Sequence, residues 1–142
     1  MPLFERSDYF QRLRDQWLPY YSEDLRHRRL AEKRRYFYNN LDHIPLYAER
    51  GLVFAAFHRL YLAYLEFLQA LFIKKRTYPI SYTKWIEEQL LDILGLSSLF
   101  PHVKSLLTID TLGEDQLKKK AQHLRKLGCS FIGTDGPLEK TA

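Results

Sequence analysis

Apolar positions recur at helical spacing along most of this chain, and no run alternates convincingly over the length of a strand. Leu3, Phe4, Phe10, Leu13 and Trp17 predict a first helix that stops before Pro19. Ser22 then stands where a side-chain cap is wanted, with Glu23 and Asp24 in the first turn, where the helix dipole favours acids. Leu25, Leu30, Phe37 and Leu41 give this second helix a core face. Asn39, Asn40 and Pro45 weaken it, so "LYAER" is predicted as a separate short piece leading to Gly51.

The third segment, "LVFAAFHRLYLAYLEFLQALFI" at 52–73, is apolar nearly all round, the pattern of a helix central to its fold. One stripe breaks the pattern. Ala56, Arg59, Ala63, Glu66 and Ala70 fall on a single face, where small residues let a neighbour approach closely or leave a groove. A fourth helix is expected to open at Ser81 or Thr83 and run through "KWIEEQLLDIL" to a cap at Gly95. "SSLFPHVKSLL" predicts a short fifth, with Ser97 or Ser98 as cap and Pro101 in its first turn. "GEDQLKKKAQHLRKL" predicts a sixth that ends at Gly128. The expected fold is all-α, a bundle of five to six helices around one long apolar central helix at about 52–75. Residues 1–128 form the domain, and 129–142 are read as a loop or frayed tail.

Composition narrows the class. The chain has 142 residues, enough for one domain, and 46% are apolar, enough for a real core. Segment 52–73 is long enough to span a bilayer, but His58, Arg59, Glu66 and Gln69 lie along its middle, where charge is costly. A buried helix and no membrane partner are therefore expected. The early charges and aromatics of "MPLFERSDYF" are unlike a signal peptide. Cys129 is the one cysteine; it has no disulfide or CxxC partner, which fits a reducing cytoplasm. The net charge of +5 permits an anionic partner without demanding one.

Most catalytic chemistry is excluded by pattern. There is no phosphate-binding glycine loop, no Asp-x-Asp pair for magnesium and no Gly-x-Ser-x-Gly elbow. The five histidines, His27, His43, His58, His102 and His123, lack His-x-x-x-His spacing, so no zinc site is expected. Cys129 follows a helix end, which does not activate a thiol. Arg59 and Glu66 have two readings: a partly exposed or internally paired stripe, or the lining of a polar cleft in which Glu66 orients a hydroxyl or amine. The run from Arg26 to Arg35 holds six cations and one acid, Glu32. It reads as a solvated face, with phosphate or nucleic-acid contact as the rival reading. Tyr36, Phe37 and Tyr38 at its end read as core, so nucleic acid is not an expected partner.

The stretch "FIKKRTYPISYTKWIEE" at 72–88 ends the long apolar segment in cations and aromatics. With "ERGLVFAAF" before it, it resembles the C-terminal helical domain of aminoglycoside-nucleotidyltransferase-like proteins, uncharacterised bacterial ones included. The residues that carry the resemblance are Arg50 and Gly51, "LQALF" at 68–72, "KKRTYP" at 74–79, and Lys84 with Trp85. The upstream "WLPYYSEDLRHRRL" and the later "SLLTIDTLGEDQLKKKAQHL" match its lead-in and closing helices. The family's acid after Arg-Gly is Leu52 here, and the asparagine before the loop arginine is Lys75.

The resemblance implies a wall of a substrate site rather than a catalyst. The metal-binding aspartates, with magnesium and a nucleoside triphosphate, belong to a separate catalytic domain in the same or another chain. Lys74, Arg76, Tyr78 and Lys84 are the residues it places at the cleft, and Arg50, Arg59 and Glu66 are further cleft candidates. Against that stands a plainer reading of the loop as solvated, with Trp85 in the core. Related HEPN-group domains imply an alternative, a free-standing homodimeric partner of a small nucleotidyltransferase. The RNA-cutting members use Arg, four to six residues, then His, and no histidine here has that spacing. A basic RNA-binding helical module is the remaining alternative.

Overall fold

The computed structural model describes Arg12 and residues 22–134. Arg12 aside, the first predicted helix lies outside the described residues, as does the tail from 135. Among the described residues every regular element is helical. Helix α1 spans Glu23–Glu49 and α2 spans Val53–Lys74. Helix α3 is a short piece, Ile86–Glu88, continued by a π-helical turn at Gln89–Ile93. A 3-10 turn at Ser97–Leu99 leads into α4, Phe100–Leu107, with Pro101 in its first turn as expected. Helix α5 spans Glu114–Phe131. No helix of the described residues is long and apolar enough to cross a membrane.

Ser22 caps α1 as its sequence position predicts, the side chain accepting from the Leu25 N–H at 3.3 Å. The predicted break near Asn39, Asn40 and Pro45 does not occur; α1 runs on through "LYAER" as far as Glu49. Pro45 removes one interior helical hydrogen bond. The flanking turns are held by burial of Leu41, Ile44 and Ala48. Asn40 is buried as well, and its Oδ1 accepts from Arg59 Nη1 of α2 at 2.9 Å. Tertiary packing thus overrides a weak local preference.

Helices α1 and α2 form an antiparallel hairpin joined at Arg50–Leu52. Ala56, Ala63 and Ala70 are wholly buried, and of the two polar residues of their stripe Arg59 hydrogen-bonds to α1 and Glu66 makes an ion contact with it. The stripe is therefore a close seam between helices. Helix α5 lies across both and runs antiparallel to α1: Lys118 near its start meets Glu49, and Phe131 at its end meets Lys74.

Helix α5 does not end at Gly128. It passes through that residue, which is buried, and runs to Phe131. A Cβ at 128 would lie 2.5 Å from Phe37 Cζ and closer still to Cε1, so this glycine admits an aromatic ring into the helix face. The left-handed residue after α5 is Gly133, φ 86°.

Helix α2 is less enclosed than its composition predicts. Its later turns are buried, from Leu60 through Phe67 and Leu68 to Ile73, but Phe54 at its start is 79% exposed, with Leu52 and Phe57 also exposed. Helix α3 likewise differs from expectation. It starts at Ile86 rather than at Ser81 or Thr83, because Ser81 Oγ accepts from the N–H groups of Thr83 and Lys84 in a local turn. Gly95, φ 65°, ends this element as predicted.

Candidate functional site

The loop after α2 is built by side chains that reach back into the fold. Helix α2 ends in a left-handed capping turn: the Arg76 N–H reaches Ile73 O and the Thr77 N–H reaches Phe72 O. The left-handed position is Arg76 itself, φ 52°, where glycine is usual. Its guanidinium grips Glu23 with both arms, Nε to Oε1 at 2.8 Å and Nη2 to Oε2 at 3.2 Å. The Glu23 carboxyl lies below its ordinary range, through the Arg76 hydrogen bond first and against an opposing effect of burial, with Arg26 adding to the lowering. Lys74 donates to the Phe131 carbonyl at 2.8 Å, at the last turn of α5.

Beyond Arg76 one buried amide organises the chain. Gln89 is 1% exposed. Its Oε1 accepts from the Ile80 N–H at 2.8 Å, and its Nε2 donates to Ser81 O at 2.7 Å and Lys84 O at 2.9 Å. The Tyr82 ring packs edge-on to Phe72, centroids 6.3 Å apart. These contacts fix the loop's shape from within. They present Tyr78, Ile80, Lys84 and Trp85 to solvent. Trp85 is not core: it is 55% exposed and has φ 52°, with Lys84 Nζ 5.9 Å from its ring centre. A bulky residue in left-handed backbone with its ring in water is unfavourable on both counts, the pattern found where a surface serves a contact.

The seven residues picked from the sequence fall in three places. Tyr78 and Lys84 lie on the exposed face of the loop, while Lys74 and Arg76 anchor its base. Arg59 and Glu66 lie in the α1–α2 seam. Arg59 bonds Asn40 and stands 5.9 Å from the Tyr47 ring centre. Glu66 Oε2 lies 3.2 Å from Lys33 Nζ, an ion contact without the direction of a hydrogen bond. Arg50 is exposed at the opposite end of α2, ~30 Å along a helix of 22 residues.

Sequence reasoning missed Gln89, Glu23 and the exposure of Trp85. A glutamine within an apolar helix pattern was the available signal for the first. It also kept the histidines apart. His102 Nδ1 and His123 Nε2 are 3.2 Å apart between α4 and α5. Burial first, then His102, Lys120 and Lys126, push the His123 pKa down. Among the described residues, no three His, Cys, Asp or Glu side chains come together to hold a metal ion. No protein-family model, curated protein or solved structure matches the chain.

Proposed function

We propose that this chain is a substrate-binding or accessory helical domain of a nucleotidyltransferase, supplying a contact surface and leaving the chemistry to a catalytic domain in the same or a separate chain. The observation that carries this reading is the preformed loop, with Trp85 exposed in left-handed backbone beside Lys84. Lys84 adds positive charge at that surface, and Trp85 and Tyr78 add flat aromatic faces for a base or a sugar. Lys74 and Arg76 act indirectly, by holding the loop. Magnesium and the nucleoside triphosphate take their metal ligands from the catalytic domain.

The test uses Trp85 as its own reporter in a Trp17→Phe variant, which leaves one tryptophan. Titration with magnesium ATP, and separately with an aminoglycoside, is expected to give a saturable change in Trp85 emission with at least one of them. Lys84→Ala is expected to weaken that response about tenfold. Flat titrations with both ligands overturn the reading.

A second reading, the free-standing homodimeric partner of a separate catalytic chain, is favoured by the opposite end of α2. Leu46, Leu52 and Phe54 form an exposed apolar corner there, with Glu49 and Arg50 of opposite sign at its rim. Sedimentation equilibrium decides it. A dimer that Phe54→Glu converts to monomer supports this reading, and a monomeric parent chain removes it.

A further inference from the structure

Between residues 22 and 134 the net positive charge lies at one end of the molecule. Residues 22–35 with 74–76 carry nine Lys and Arg against three acids. Residues 36–73 with 77–134 carry nine of each and are balanced. The Arg76–Glu23 contact brings the two basic segments together near the start of α1. Part of that charge is used internally: Arg26 and Arg76 meet Glu23, and Lys33 meets Glu66. Arg28, Arg29 and Lys75 are exposed, and their side chains make no hydrogen bond or ion pair among the described residues.

An aromatic ring lies on the same surface. Tyr36 was expected in the core with Phe37 and Tyr38. Those two are buried, but Tyr36 is 41% exposed. The Arg35 guanidinium is 5.4 Å from its ring centre and Lys33 Nζ is 5.9 Å. Arg28, Arg35 and Tyr36 share one face of α1, with Arg28 and Arg35 ~10 Å apart along the axis. A line of unpaired cations beside an exposed aromatic flanked by cations is what a single nucleic-acid strand requires: charge for the backbone and a ring on which a base stacks.

We propose that this face of α1, with Arg28, Arg29, Arg35 and Tyr36, binds single-stranded RNA through its phosphates, with one base stacked on Tyr36. The inference stands apart from the nucleotidyltransferase reading and uses none of its residues. A membrane surface fits less well. Tyr36 is the one large apolar side chain exposed between residues 22 and 36, whereas interfacial binding needs an apolar face to insert.

Fluorescence anisotropy of a labelled twenty-nucleotide oligouridine, titrated with the full chain at several salt concentrations, tests it. Binding is expected in the micromolar range at low salt. With about four phosphates neutralised, it should weaken roughly fiftyfold between 50 and 200 mM salt. Arg28→Glu with Arg35→Glu is expected to weaken it more than tenfold and Tyr36→Ala about fivefold or more. Lys119→Glu, in the balanced part of the molecule, should change it little. All these side chains are largely exposed, and circular dichroism checks that each variant folds. Absence of saturable binding at low salt overturns the proposal. So does binding that Tyr36→Ala leaves unchanged and that heparin or phosphatidylglycerol vesicles match, since that marks a surface for any polyanion.

Discussion

Helices α1 and α2 end in the same kind of left-handed capping turn, but the two turns are made differently. At the end of α1 the left-handed residue is Gly51, φ 71°, with open space around its Cα. Backbone bonds complete the turn, Gly51 N–H to Ala48 O and Leu52 N–H to Tyr47 O, and the nearby side chains of Leu46, Leu52 and Phe54 face solvent. At the end of α2 the left-handed residue is Arg76, and side chains do the holding: Arg76 on Glu23, Lys74 on Phe131, Gln89 across the loop. Glycine makes a turn at little conformational strain and leaves it unattached. An arginine in the same backbone carries strain but ties two segments together. The end that is tied down is also the end that presents cations and aromatics.

The tied-down end depends most on Gln89. Gln89→Ala is expected to destabilise by about 2 kcal/mol, because a buried side chain and three part-buried backbone hydrogen bonds are lost together. Urea unfolding measures this, and an unchanged midpoint would mean the loop does not depend on its internal bonds. Next in size is Gly51→Ala. It should cost about 1 kcal/mol from backbone strain alone, since nothing crowds the new methyl.

Arg76 gives the more discriminating pair. Arg76→Gly loses the Glu23 contact but relieves the left-handed backbone, whereas Arg76→Ala loses the contact and keeps the strain. The glycine variant should therefore be the more stable by about 1 kcal/mol, the reverse of the usual order within helices.

Acid acts on the same contact. The Glu23 carboxyl lies below its ordinary 4.5 because Arg76 favours the ionised form. The stabilisation is thus complete above that ordinary value and is lost as pH falls through the lowered folded value. The gap between the parent chain and Arg76→Ala should be constant near neutrality and close below about pH 4.5. A gap that persists at pH 2 would mean the arginine acts through packing instead. The smallest effect belongs to the other end: Phe54→Ser, on an exposed ring, should change monomer stability by less than about 0.5 kcal/mol.

Much of the architecture was legible in the chain's periodicity. The all-α class, the Ser22 cap, the span of α2, Pro101 at the start of α4 and Gly95 as terminator follow from local rules that act within a few residues. The candidate site was legible only as a place. The sequence marked 74–85 by its cations and aromatics, but it could not distinguish Lys74 and Arg76, which hold the loop, from Lys84 and Trp85, which face outward. Nor could it separate Tyr36 from Phe37 and Tyr38, three adjacent aromatics of which the helix turns one to solvent.

What the sequence determined by itself was therefore the helical class and the placing of charge along the chain, because both are properties of neighbours in sequence. Tertiary structure alone decided the rest. Pro45 stays within a helix because burial on either side outweighs one lost hydrogen bond. Gly128 is a packing notch rather than a stop, because the Phe37 ring needs the space that a Cβ would fill. Arg76 takes the place of a glycine because Glu23, far away in sequence, stands within its reach. In each case the deciding partner comes from another helix, and no local pattern encodes where that partner will lie.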